Sequence, residues 1–293
     1  MKKNTSADDF WLHNLPSSHA DYLSYTEIEL GRHPSAFLTY QNHEKFIKQV
    51  PEHIQKIEYS ILAWLHELQL APNAVKNDKG IKPVISTKAP YELQIPKPDV
   101  STSRTDLLIT SKLDGIPLTK LSLASRFSLI CKSLAYLHQL IEVTQLPSII
   151  VRSLDHELPI NSNDVESCYL AQFNQAKAKI DENLSILGLV HGDLSSGNIL
   201  VTDSTIGIID WEYANVRDCR WDLATVAVEF ELNSGEFNKL CDLYLKQRGL
   251  HEDSFIDVAK SWAVVYAVTC LSWAKKNNQK TNRYLQFLGQ FEN

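Results

Sequence analysis

The chain has no C-x-x-C pair, no extended run of lysine and arginine, and no apolar opening segment, and each absence removes a class of protein. Its five cysteines (Cys131, Cys168, Cys219, Cys241 and Cys270) are scattered and odd in number, which argues against zinc-site spacing and against a complete disulfide framework. Reduced, buried thiols are the expectation. A formal charge of −6 with no basic patch argues against nucleic-acid binding carried by electrostatics. The opening MKKNTSADDF lacks the apolar region of a signal peptide, and the most apolar later stretch, Trp262–Trp273, reads as too short and too broken by Ser and Thr to span a bilayer. No nucleic-acid or membrane partner is expected, and the cytosol is the expected compartment. Repeats and low-complexity segments are lacking too, and nothing in the sequence speaks to oligomeric state.

What is present is an ordinary globular composition, 44% apolar and 22% charged over 293 residues, enough for two domains or one large one. The informative stretch is Leu189 to Ala214, LVHGDLSSGNILVTDSTIGIIDWEYA. Two apolar runs, Asn198–Val201 and Ile206–Ile209, flank Thr202-Asp203-Ser204-Thr205 and read as a β-hairpin. With the tip near Ser204, Thr202 faces Ile206 and Asn198 falls opposite Asp210, which puts their Cβ atoms about 4.5–5.5 Å apart at the open end. Asp193 precedes them in a turn of small residues (Ser195, Ser196, Gly197). Oxygen ligands presented in this way suit Mg²⁺, which takes one or two protein groups plus substrate phosphates. The bland alternative is a hairpin whose polar residues only cap turns.

His191-Gly192-Asp193 followed by Asn198 has the H-x-D-x-x-x-x-N spacing of a kinase catalytic loop, and Asp210-Trp211-Glu212 stands where Asp-Phe-Gly stands in protein kinases. With Asp222-Leu223-Ala224 downstream, the chain resembles the aminoglycoside phosphotransferase and choline kinase superfamily, and Ile209–Ala214 is especially similar to bacterial choline and thiamine kinases. The resemblance implies a bilobal, protein-kinase-like α+β fold. A small antiparallel-sheet lobe over residues 1–110 would hold nucleotide, and a larger, mainly helical lobe over residues 111–293 would carry catalysis and substrate binding. Three departures narrow it. Gly192 replaces the arginine of H-R-D, only 11 residues separate Asp210 from Asp222, and Trp211-Glu212 replace the Phe-Gly pair. A phosphorylation-gated protein kinase fits badly, and a constitutive small-molecule kinase fits well.

Upstream, Thr26–Leu30, Ala36–Tyr40 and Lys45–Val50 read as three strands of a meander. Its first turn would cover ATP phosphates by resemblance, with Gly31 and Ser35 as the candidates. A phosphate-covering loop uses several glycines, and here Gly31 stands alone while Pro34 removes a donor, so an ordinary hairpin turn stays open. Lys48 on the third strand matches the family's ATP lysine, with Lys45 as the alternative register. A helix over about Glu52–Leu68 follows from its apolar spacing, and the resemblance pairs Glu58 with that lysine; Glu52, or a surface role for Glu58, remain alternatives. Residues 73–105 read as loop with short strands near Val84–Ser86 and Tyr91–Ile95. The segment Ile109–Leu113 looks like the interlobe hinge whose backbone meets adenine. Further helices are expected over Ala124–Leu140, Cys168–Leu184, Asp222–Leu232, Asn238–Arg248 and Phe255–Asn277.

The resemblance thus implies an ATP- and Mg²⁺-dependent kinase acting on a small-molecule alcohol. Asp193 would orient the hydroxyl and take its proton, Asn198 and Asp210 would hold Mg²⁺, and Lys48 steadied by Glu58 would neutralise the α/β-phosphates. His191 would shape the loop, Asp222 would brace it, and Glu212, Trp211, Asp218, Trp262 and Tyr266 are the substrate candidates. Glu229 adds another acidic residue. Aromatic residues can hold a quaternary ammonium by cation–π contact, though an aromatic stripe on a helix is more often core. A choline-, ethanolamine- or thiamine-like cation leads, an aminoglycoside is the rival within the class, and a catalytically silent nucleotide-binding scaffold is the rival from another.

Overall fold

The computed structural model describes residues 22–28, 33–70, 92–99, 106–143 and 165–290, together with Leu15 and Ile160. Gly31, most of the first 25 residues and the strand expected near Val84–Ser86 lie outside the described residues.

Strands β1 (Ser24–Ile28), β2 (Ser35–Thr39) and β3 (Glu44–Gln49) form an antiparallel meander. Helix α1 (Glu52–Leu70) follows, then β4 (Leu93–Gln94), and the chain returns as β5 (Leu107–Ser111) beside β3, giving the order β1-β2-β3-β5. Side chains alternate across a strand, and the sheet uses both faces. Ala36, Leu38, Ile47, Leu107 and Ile109 close an apolar cluster on one side. Lys48, next to Ile47, therefore points to the other, toward Glu58 of α1, a helix whose Ile57, Ile61, Leu62 and Leu65 join the larger core.

A two-residue strand β6 (Ile116–Pro117) leads into α2 (Lys120–Val143), and α3 (Ser167–Asp181) precedes β7 (Leu187–Val190). The hairpin β8 (Ile199–Val201) and β9 (Ile206–Ile208) comes next, then a 3₁₀ turn at Trp211–Tyr213 and β10 (Asn215–Asp218). β10 pairs antiparallel with β7, while β4, β9, β8 and β6 form a second small sheet in that order. Helices α4 (Arg220–Glu229), α5 (Ser234–Arg248), α6 (Phe255–Lys276) and α7 (Asn282–Gly289) complete the chain. The architecture is mixed α+β, with an antiparallel sheet first and helices after. α6 is its buried axis, packed against α3, α4, α5 and α7. α2 lies on β7 so closely that a Cβ on Gly188 would stand 2.8 Å from His138 Cβ, which requires glycine there.

Four expectations need correction. α6 is long and apolar enough to cross a membrane, with a mean hydropathy of 1.3, so length does not exclude it; 78% of that apolar window is buried inside the fold, as in a core helix. α5 starts at Ser234 rather than Asn238, because Asn233 and Glu236 form a reciprocal capping box. α3 stops at Asp181, leaving Leu184 outside the helix and exposed. Cys168 is exposed, so not every thiol is buried, although all five cysteines are free.

Candidate active site

The catalytic loop is held from below by one carboxylate. Asp222, in the first turn of α4, accepts the backbone N–H of His191 at 2.8 Å through Oδ2 and that of Gly192 at 2.9 Å through Oδ1. His138 donates to Oδ2 through Nε2–H at 3.1 Å, and Tyr244 O–H closes the chain on His138 Nδ1 at 2.7 Å. Burial works against an ionised Asp222, but the hydrogen bonds from His138 and the Gly192 N–H help to outweigh it, and the carboxyl is held below its ordinary value. Gly192 turns the loop at φ 89°, and a Cβ there would lie 2.7 Å from Tyr213 O. Only glycine fits both the dihedral and the space.

His191 is fully buried and donates Nε2–H to Ile209 O at 2.9 Å, while its Nδ1 accepts the Asp193 N–H at 3.3 Å. Both nitrogens are committed to backbone, and burial holds the imidazole below its ordinary pKa. His191 thus spans the two segments as a neutral strut, in keeping with a shaping role rather than proton transfer. Asp193 projects beside it, half-buried. Asn198 donates Nδ2–H to Asp193 O at 2.8 Å and to Asp193 Oδ2 at 3.1 Å. Burial first, then the charges of Glu229, Asp210 and Glu212, push the Asp193 carboxyl up to about 7.

The hairpin register differs from the expected one by a single residue. Val201 pairs with Ile206 and Ile199 with Ile208, so Asn198 lies opposite Ile209, whose N–H it binds through its own carbonyl at 3.1 Å. The cause is the turn: Thr202 Oγ1 accepts the N–H groups of Ser204 and Thr205, which places the tip between Asp203 and Ser204. Asp210 therefore stands one residue past the paired strands. It takes a left-handed conformation at φ 65°, a strained state for a non-glycine residue, and turns toward the N-terminal sheet.

There Lys48 Nζ lies 2.6 Å from Asp210 Oδ1, 2.7 Å from Glu58 Oε2 and 3.7 Å from Glu212 Oε2. Burial disfavours the ammonium, but Glu58 and Asp210 more than offset it and hold Lys48 above its ordinary range. Burial pushes Glu58 up, with Lys48 opposing and Asp210 and Glu212 adding to the rise. Glu58 Oε1 also accepts the Trp211 N–H at 3.2 Å, tying α1 to the turn. The alternatives fall away: Lys45 pairs with Asp99, and Glu52 is exposed beside Lys56. Ser35 sits across the sheet from Lys48, and His33 Nε2 comes 3.6 Å from Glu212 Oε2.

Carboxylate oxygens of Glu58, Asp210 and Glu212 lie within 4.8 Å of one another, and the buried Glu212 Oε2 has no hydrogen-bond partner among the described residues. Hard oxygen donors crowded around one lysine fit a divalent cation such as Mg²⁺.

Other candidates change role. Trp211 is fully buried, donates Nε1–H to Ile208 O at 3.0 Å and meets the His191 ring edge-on at 4.9 Å, so it packs the loop and cannot touch substrate. Asp218 is buried and held by the Arg220 guanidinium at 2.6 and 2.9 Å, which removes it from the substrate list. Trp262 and Tyr266 pack against Trp221 beside the loop, whereas Trp273, further along the same face of α6, is 38% exposed. Trp221, missed in the sequence, joins them: its Nε1–H binds Gly192 O at 3.0 Å. Its position one residue before Asp222 was the available signal. In the hinge, Ile109 O and Ser111 N–H are taken by Asp99 N–H and Lys97 O, because Lys97–Asp99 runs along the free edge of β5. Ile109 is core, and the Leu113 backbone is the part of that segment with no hydrogen bond among the described residues.

A lysine–glutamate pair on a small sheet and one helix, an aspartate–asparagine loop and a third aspartate after a hairpin define a kinase-like phosphotransferase. Residues 24–252 match the model of the phosphotransferase enzyme family, and the chain belongs to that family. It is 31% identical over 74 residues to Protein LicA of Haemophilus influenzae; the matched stretch spans 28% of that protein and 25% of this chain. Three solved structures share the fold. Choline kinase LicA from Streptococcus pneumoniae has a TM-score of 0.64 at 14% identity, covering 97% of this chain and 98% of that one. A choline/ethanolamine kinase family protein from Mesorhizobium loti reaches 0.66 at 12%, covering 99% and 95%. Amicoumacin kinase hAmiN, solved in complex with AMP-PNP, Ca²⁺ and Ami, reaches 0.65 at 14%, covering 91% and 86%.

Proposed function

We propose that this phosphotransferase moves the γ-phosphoryl group of ATP to the hydroxyl of a small, amine-bearing alcohol. The observation that carries the reading is Asp193, a half-buried carboxylate with its pKa near 7, backed by Asn198 beside the Lys48–Glu58–Asp210 cluster. A general base is most effective when its pKa lies near the working pH. Asp193 orients the acceptor hydroxyl and takes its proton. Lys48, fixed by Glu58, neutralises phosphate oxygens. Asp210 and Asn198, with Glu212 nearby, would hold Mg²⁺, which supplies charge neutralisation on the phosphates. Because phosphoryl transfer asks for positioning more than covalent chemistry, a prearranged site of this kind suffices. Ser35, across from Lys48, and the Leu113 backbone are the proposed contacts to phosphate and adenine, with the lobe boundary near residue 110 as the hinge between them. Supply of ATP favours the cytosol.

A cationic amine fits the excess of carboxylate around Asp193, and the solved structures that share this fold include choline kinase, a choline/ethanolamine kinase family protein and amicoumacin kinase. An ADP-release assay with Mg²⁺ and ATP over choline, ethanolamine, thiamine and kanamycin tests the reading. Turnover of one amine, abolished by Asp193→Asn, is the expected result. Nucleotide binding with no turnover across a wider panel of amino alcohols favours a silent scaffold instead.

A further inference from the structure

Trp221, Trp262 and Tyr266 meet edge-to-face beside the catalytic loop, with ring centroids 5.6 Å apart for Trp221–Trp262 and 5.5 Å for Trp221–Tyr266. Such a group of aromatic faces would suit a quaternary ammonium. One face is already taken by the chain itself. Arg217, on β10, places its guanidinium carbon 3.5 Å from the Trp221 ring centroid and 5.3 Å from that of Trp262. Arg217 is buried, as are all three aromatic residues. At 3.5 Å the guanidinium lies flat against the indole, and two cations cannot share that face. A quaternary ammonium has no N–H to offer elsewhere, so losing the aromatic face removes its main source of recognition. An ammonium that carries N–H groups has another partner in Glu229, whose Oε1 accepts from Tyr266 O–H at 3.1 Å and whose Oε2 faces Arg283 Nη1 at 2.8 Å. An ionised carboxylate has about four acceptor sites, and Tyr266, Arg283 and the Tyr284 hydroxyl take three of them, which leaves one for a further donor.

We infer that Arg217 is a specificity-determining residue that excludes quaternary ammonium alcohols by occupying the Trp221–Trp262 site, leaving the acceptor to be an alcohol whose ammonium carries N–H donors. The inference rests on the phosphotransferase reading for what happens after binding, but the occupation of the aromatic site stands apart from it. It divides the candidates: choline and thiamine fall on one side, ethanolamine, amino-propanols and aminoglycosides on the other.

The experiment has two arms, run on wild type, Arg217→Ala and Arg217→Lys. In the first, choline is titrated against tryptophan fluorescence, which needs no phosphoryl transfer. Wild type and Arg217→Lys should stay flat into the millimolar range, while Arg217→Ala should quench saturably, with affinity at least about tenfold higher, as expected for a cation–π gain of about 1–2 kcal/mol. The lysine variant keeps a cation in place and tests charge rather than folding; thermal melts of all three identify a variant that has simply unfolded. In the second arm, ADP release should favour ethanolamine over choline in wild type, and the ratio should shift toward choline by about tenfold or more in Arg217→Ala. Saturable choline quenching in wild type at an affinity that Arg217→Ala leaves unchanged overturns the inference. Absence of turnover by any protein, with the quenching pattern as expected, would remove the kinase reading and leave the role of Arg217 in place.

Discussion

Two buried charge networks meet at the ends of the catalytic segment, and they are built on opposite terms. Around Asp222 every acceptor has a donor: two backbone N–H groups and an imidazole N–H serve one carboxylate, and Tyr244 completes the line. Around Lys48 three carboxylates share one ammonium, and Glu212 Oε2 goes without a hydrogen bond among the described residues. A satisfied buried network makes the fold rigid and specific, whereas an undersupplied one lies above its minimum until positive charge arrives. On the proposed function the first is scaffold and the second a receptor for cation and phosphate. Asp193 lies between them, anchored by the first and repelled by the carboxylates of the second.

The largest expected effect falls on that middle residue. Asp193→Asn keeps size and removes the base, so kcat should drop by about 10²–10⁴ in the ADP-release assay, while AMP-PNP affinity and melting temperature stay close to wild type. A variant with near-normal turnover would strip Asp193 of its role. Next comes the scaffold. Asp222→Asn leaves His138 and two buried N–H groups competing for one carbonyl oxygen, and should cost about 3 kcal/mol in urea unfolding. A loss below about 0.5 kcal/mol would mean the network does not brace the loop.

Much of this was legible in the chain, because most of the residues proposed to do the chemistry are close in sequence. The spacing from Asp193 to Asn198 and the run Asp210-Trp211-Glu212 are local motifs, whereas Lys48 and Glu58 were singled out by the family resemblance, with strand alternation and helix period setting only the faces they lie on. The misses share a different physical cause. The hairpin register slipped by one because a threonine side chain, not the apolar runs, set the turn. Trp211 and Asp218 looked available because nothing local tells an indole that will be roofed by His191, or a carboxylate that will be clasped by Arg220, from one left open. Arg217 on Trp221 joins a strand to a helix four residues on, and its meaning depends on Trp262 from a third element. Ile109 lost its expected hinge role to Lys97–Asp99, a stretch with no strand pattern of its own.

A pH profile sharpens the contrast further. Burial and surrounding carboxylates raise Asp193 to about 7, so below that pH the carboxyl is protonated and cannot act as base. The logarithm of kcat/KM should climb with a slope of about one up to pH about 7 and then level. Glu229 is the largest charge in that rise after burial, so Glu229→Gln should move the bend to lower pH. Stability runs the other way. A folded pKa above the unfolded value contributes fully below about pH 4 and fades as pH climbs through about 7. A bend that stays in place in Glu229→Gln would separate Asp193 from its neighbours' charge.

The smallest effect is the most discriminating. Glu212→Gln removes one of three negative charges around Lys48 and supplies an amide donor to the carboxylates that remain. In the metal-free protein this should stabilise the fold by about 1 kcal/mol, read as a melting temperature about 2 °C higher. The same change should shrink the further rise produced by Mg²⁺ with AMP-PNP, because the variant has less unpaired charge to offer. Opposite signs in the two conditions are what a receptor for positive charge requires, since a site that strains the fold when bare is relieved by its ligand. Asp222→Asn should show no such reversal, losing stability with and without ligand. If Glu212→Gln also melts lower in both conditions, the two networks are of one kind, and the Lys48 cluster is scaffold as well.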